Sequence, residues 1–192
     1  MSPNIEMTLP IQGIDPAHIQ LSSLAAGHKL TSSIHYTHPI TAMPSLSILL
    51  PSMPVHSYDS VTGHLVLQIV DTAHMKRLNT IQEHILKLIR MHQKTWFPDF
   101  KQRGDDIRTG FQPMIEGNLL HVYCPVSTGG PYDIHVYNGE WSRSTKDILK
   151  IGQNVRIVLR IQGVSFHQHQ ATGAWTGKFR LQHRILTLYI IN

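Results

Sequence analysis

Five basic residues near the end of this 192-residue chain alternate with apolar ones. Arg156 and Arg160 alternate with Val155, Ile157, Leu159 and Ile161. Lys178, Arg180 and Arg184 alternate with Phe179, Leu181, His183 and Ile185. A row of guanidinium and ammonium groups can track nucleic-acid phosphates and release their counterions. Flat rings beside such a row can stack unpaired bases. The candidate rings are Trp175, Phe166, Trp141 and Tyr137. Trp175 stands among polar neighbours between Gly173 and Gly177, which predicts an exposed ring. Tyr123 and Phe179 lie in strand patterns and are read as core. Lys101, Arg103 and Arg108 add cations in a polar segment that ends at Gly110. A solvated sheet face also carries Lys and Arg, but it mixes charge signs. Neither basic run here contains an acid.

Other chemistry is poorly supported. His167 and His169 point the same way on a strand and could chelate a metal, with His183 and Cys124 elsewhere. A structural site needs about four ligands, and one cysteine with no CxxC is a poor set. No metal is therefore expected. Asp99, Asp105, Asp106, Glu116 and Lys150 could furnish a nuclease metal site, but their spacing matches no defensible motif. There is no phosphate-cradling GxxxxGK[ST], no GxSxG elbow and no HExxH pair. The expectation is a binding protein, neither an enzyme nor a cofactor carrier.

The elements that must position these residues follow from period. Both basic runs alternate with period two, the pattern of strands with one face buried. They flank a Gly- and His-rich connection and make a long closing hairpin. Upstream, residues 18–24, 29–40, 46–50, 64–70, 111–115 and 118–124 read as strands. Residues 52–63 read as a loop. Asn138-Gly139 supplies the positive-φ residues of a tight hairpin turn over 133–141. Residues 144–149 read as a single helical turn. Between Thr72 and Trp96 the period changes to three and four: Leu78, Ile81, Ile85, Leu88, Ile89 and Trp96 form one helix face. Asp71 or Thr72 can cap it, Pro98 stops it, and Trp96 is read as core. Residues 1–16, with three prolines, read as a loose leader and 17–192 as one domain. The fold class is mainly β: a Greek-key barrel of the OB type with one long helix and extra N-terminal strands.

Composition narrows the class further. A formal charge of +5 favours a polyanionic partner without requiring one. A lone cysteine excludes an intramolecular disulfide framework. No apolar run approaches the roughly 20 residues of a membrane span. The N-terminus lacks the basic start and apolar core of a signal peptide. The expectation is an intracellular protein that is neither secreted nor membrane-bound.

Three stretches carry a resemblance. They are Leu46 to Pro54 (LSILLPSMP), Ile81 to Phe97 (IQEHILKLIRMHQKTWF), and Asn154 to Ile161 followed by Trp175 to Ile185 (WTGKFRLQHRI). Their order and spacing over residues 17–190 resemble the OB-fold single-stranded DNA-binding proteins of large eukaryotic DNA viruses of algae and amoebae. That family is similar in design to the T7-type phage protein. The resemblance implies sequence-tolerant binding of single-stranded DNA, or of RNA, in replication, recombination or repair at a viral replication site in the host cytoplasm or nucleus. It makes a homo-oligomer compatible with exposed barrel edges. A β-rich virion or assembly component with a basic contact face is the first alternative, and a metal-dependent nuclease the second.

Overall fold

Alternating segments become strands and the three-and-four segment becomes one helix. The computed structural model describes residues 8–27, 29–37, 42–98, 100, 107–124, 134–142 and 149–191. The first seven strands are β1 (Leu9–Pro10), β2 (Ile19–Leu21), β3 (Leu30–Thr37), β4 (Ala42–Met43), β5 (Leu46–Leu49), β6 (Met53–Tyr58) and β7 (His64–Gln68). The helix α1 (Thr72–Trp96) follows. The rest are β8 (Phe111–Gln112), β9 (Ile115–Glu116), β10 (Leu119–Tyr123), β11 (His135–Asn138), β12 (Glu140–Ser142), β13 (Asn154–Gln168) and β14 (Trp175–Ile191). The class is mainly β, with all fourteen described strands joined in one mixed sheet.

The long antiparallel pair β13–β14 organises this sheet. β3, β5 and β6 pair with β13, while β8 and β11 pair with β14. The main path runs β12-β11-β14-β13-β6-β7-β10-β9. Val155, Ile157, Leu159, Ile161, Val164 and Phe166 of β13 are buried, as are Phe179, Leu181, Ile185, Leu188 and Ile190 of β14. Gly163 is where β3 crosses closest. A Cβ there would lie 2.3 Å from the Ser32 carbonyl oxygen, so only glycine fits without moving a backbone.

α1 buries Leu78, Ile81, Ile85, Leu86 and Ile89 in the same hydrophobic core, packed against β2 and the N-terminal segment. Asp71 caps it by accepting the Ala73 N–H at 2.7 Å. Past its C-terminus, Phe97 and Phe100 close over the ribbon, with ring centroids 4.2 and 4.4 Å from that of Trp175. Phe166 sits 5.1 Å from Phe97 and 5.8 Å from Phe179. Trp96, partly buried, meets Phe166 edge-on at 5.8 Å. Trp175 is only 7% exposed and Phe166 2%. The indole N–H donates to the Lys178 carbonyl at 2.9 Å, which satisfies the one polar atom the burial would strand. The expectation of an exposed, base-stacking Trp175 with Phe166 beside it is therefore corrected: both rings are core.

Four further readings change. Residues 52–63 are not all loop, because Met53 and Val55 are buried on β6. Pro54 is tolerated there at the end of the β13 pairing, opposite Asn154. The supposed loose leader is packed from Leu9 onward. β1 pairs with β5, Ile11 and Ile14 are buried, and Arg77 of α1 donates to the Ile14 carbonyl. Tyr123, read as core, is 48% exposed, since it falls on the outward parity of β10. Finally, the sheet does not close into a barrel. β10 and β14 face one another without backbone pairing among the described residues, and the His183 ring spans the gap. Its Nε2 lies 3.0 Å from the His121 carbonyl oxygen and its Nδ1 3.2 Å from that of Leu181. The expected helical turn at 144–149 falls almost wholly outside the described residues, with only Leu149 among them.

Two predictions follow from this packing. Trp175→Ala should cost about 3–5 kcal/mol of stability, as expected for deleting a buried aromatic, read as a fall in the urea midpoint. An unchanged midpoint would return the ring to the surface. The second concerns His183, whose pKa burial pushes below the ordinary histidine value, with Arg180 adding to the shift and the two carbonyls opposing it. Stability from keeping this imidazole neutral is complete above the unfolded value of about 6.5 and is lost as pH falls toward the folded value. His183→Gln should accordingly flatten the loss of stability between about pH 7 and 5. A variant with the same pH slope as the parent would contradict this assignment.

Candidate nucleic-acid interface

The outer face of the ribbon is set by parity and by two of the three register irregularities between β13 and β14. Arg180, Gln182 and Arg184 alternate outward along β14. Leu186 is then skipped in the register, because Leu159 pairs with Ile185 and Val158 with Thr187. A bulge of this kind shifts every later side chain to the opposite face. Tyr189 thus points outward with Arg184, five residues away. On β13 the corresponding residues are Arg156 and Arg160, and Gln162 is the extra residue between Ile161 and Gly163.

This register assembles one row across four strands. Trp141 of β12 pairs with Tyr137 of β11, Tyr137 with Tyr189 of β14, and Tyr189 with Arg156 of β13. The ring centroids of Tyr137 and Trp141 are 5.1 Å apart, those of Trp141 and Tyr189 5.9 Å, and those of Tyr137 and Tyr189 6.2 Å. Trp141 is 49% exposed and Tyr137 38%, while Tyr189 is half-buried. Beside the row is a depression of about 300 Å³, bounded by Leu49, Tyr137, Arg156, Tyr189, Ile190 and Ile191. Aromatic rings at these spacings form a continuous apolar shelf. The Arg156 guanidinium at its end supplies charge, and all four residues are carried on hydrogen-bonded β-strands.

Next along the ribbon, Arg160 and Arg184 are directly opposite each other. Arg160 Nε lies 3.4 Å from Ser47 Oγ on β5. Burial, then the neighbouring Arg184 charge, lowers the Arg160 pKa, yet a guanidinium stays charged at neutral pH. Like charges directly across a ladder repel, and this juxtaposition concentrates positive charge on the outer face of the ribbon. Arg180, exposed, pairs with Ser165 further along, and Lys178 is exposed near the ribbon's turn.

The structure brings Arg156 beside Tyr137 and Trp141, and sets Arg160, Arg184 and, farther along, Arg180 on the same face of the ribbon. It separates Arg108, which is exposed beside α1 and meets the Glu83 carboxylate at 2.6 Å. Lys101 and Arg103 lie outside the described residues, as do Asp99, Asp105 and Asp106. Glu116 and Lys150 are exposed. Cys124 is buried, and among the described residues no three His, Cys, Asp or Glu side chains are grouped to hold a metal ion. Tyr189 is the residue that pattern-reading misses, because simple alternation from Arg184 would put it inside. Comparison of the chain with protein-family models, with curated proteins and with solved structures finds no match.

Proposed function

We propose that this chain binds single-stranded DNA with little dependence on sequence, as a replication, recombination or repair protein of a large viral genome. The observation that carries the reading is the row Trp141, Tyr137, Tyr189 and Arg156. Single-strand binding requires exposed rings for bases and nearby cations for phosphates, and this row joins both on one sheet surface. Arg160, Arg184, Arg180 and Lys178 continue the charge along the same ribbon. The path β14-β13-β6-β7-β10, with His183 spanning its open side, supports reading the centre of the sheet as a partly open OB-type barrel. The binding surface in this reading is the outer ribbon face, and the Trp175–Phe166 cluster serves as its foundation.

The test is a binding isotherm for a short single strand, its duplex and a set of variants. Single strand should bind more tightly than duplex, whose base faces are hidden. Trp141→Ala or Tyr137→Ala should cost roughly 1–3 kcal/mol of affinity, the usual value of one base–aromatic stack. Neither should move the thermal midpoint much. For four to five phosphate contacts, log K should fall against log salt with a slope on the order of −3, and Arg156→Ala should reduce it by about 0.7. Equal affinity for duplex, with no effect of Trp141→Ala, would sink the stacking mechanism.

A further inference from the structure

Where β10 and β14 fail to pair, the surface opens into a cleft of about 490 Å³. Its walls carry three side-chain amides, Gln112, Gln162 and Gln182, together with the Arg180 guanidinium. None of these four groups has a hydrogen-bond or ion-pair partner among the described residues. Gln162 is directed there from the bulge between Ile161 and Gly163. Tyr123, exposed, and His121 supply rings at the same cleft, and no acid lines it among the described residues. Uncommitted amides converging on a cleft of small-ligand size point to a ligand that they are free to bind.

The chemistry of the lining selects the class. A carboxamide offers a donor and an acceptor side by side, which matches the edge of a nucleobase. A ring beside it can stack on the base, and a guanidinium takes a phosphate. A peptide strand does not fit between β10 and β14. The His183 ring on β14 reaches the β10 carbonyl at 3.0 Å, so the strands are one side chain apart. An inserted strand would need about 4.8 Å on each side. The cleft also continues the basic track: Arg180 and Gln182 share the outer parity of Arg184 and Tyr189. Gln182 and Tyr189 are seven positions apart, roughly 20 Å of strand.

We infer that this cleft receives one unstacked nucleotide of the bound single strand, its base edge on the amides, its ring against Tyr123 and its phosphate on Arg180. The inference rests on the single-strand reading above and adds to it one position of base preference on an otherwise sequence-tolerant track.

The test titrates the full chain with each of the four deoxynucleoside 5′-monophosphates while the side-chain amide resonances of Gln112, Gln162 and Gln182 are followed by NMR. Saturable shifts of these amides are expected, with the best base binding about tenfold tighter than the worst. Inorganic phosphate should leave them in place. The double variant Gln112→Ala/Gln182→Ala should lose the base preference while its remaining backbone spectrum stays that of the folded parent. Shifts reproduced by inorganic phosphate or by an extended tetrapeptide would overturn the inference, as would amides unmoved by every mononucleotide. An oligonucleotide isotherm run alongside separates the two failures. If the oligonucleotide binds but no mononucleotide moves the amides, the cleft assignment alone falls. If the oligonucleotide does not bind, the ribbon reading falls, and with it the claim that the cleft serves a bound strand.

Discussion

The antiparallel pairing of β13 with β14 is the interaction on which the rest of the structure depends. Strands of fifteen and seventeen residues are long for a globular protein. A two-stranded hairpin is marginal alone, and a hydrophobic face packed against further strands or a helix makes it stable. Here the inner face is nearly all apolar and shares one hydrophobic core with the buried face of α1. The edges are occupied by β3, β5 and β6 on one strand and β8 and β11 on the other. Removing the ribbon would leave β8 without a described partner and would part β3, β5, β6 and β11 from one another, each keeping only its short outer neighbours.

The same pairing divides the aromatic residues between two jobs. Inward positions collect Phe166, Trp175 and Phe179 under Phe97 and Phe100, where they contribute buried area. Outward positions collect Tyr137, Trp141 and Tyr189, where the rings remain available. The division depends on register more than on residue type. The skipped Leu186 converts the end of β14 from one parity to the other, and that single irregularity brings Tyr189 beside Arg156. The extra residue Gln162, a few residues further along β13, directs an amide outward. Both bulges therefore do work at the surface that regular alternation could not.

Much of the frame was legible in the sequence. The helix bounds and its Asp71 cap, the hairpin turning at Gly139 with φ of 77°, and the alternation of the closing ribbon follow from local period and turn chemistry. What was not legible depends on distant partners. Trp175 looked exposed from its glycine neighbours, but those neighbours do not report that Phe97 and Phe100 fold over it. Its spacing of four from Phe179 did carry the inward parity and was the available signal. The strand at Met53 to Tyr58 was hidden by flanking prolines. Aromatic strand residues usually point inside, but pairing opposite the exposed His64 places Tyr123 outside. Barrel closure could not be read from period, because it turns on whether β10 and β14 come within hydrogen-bonding distance.

The central claim is that a single strand lies along the outer face of the ribbon across the row from Trp141 to Arg156. Photocrosslinking a bromodeoxyuridine-substituted oligonucleotide to the full chain, followed by peptide mapping, tests it most directly. Crosslinks should fall on Trp141, Tyr137 or Tyr189. Crosslinks confined to the basic surface of α1, around Lys87 and Arg90, would contradict it.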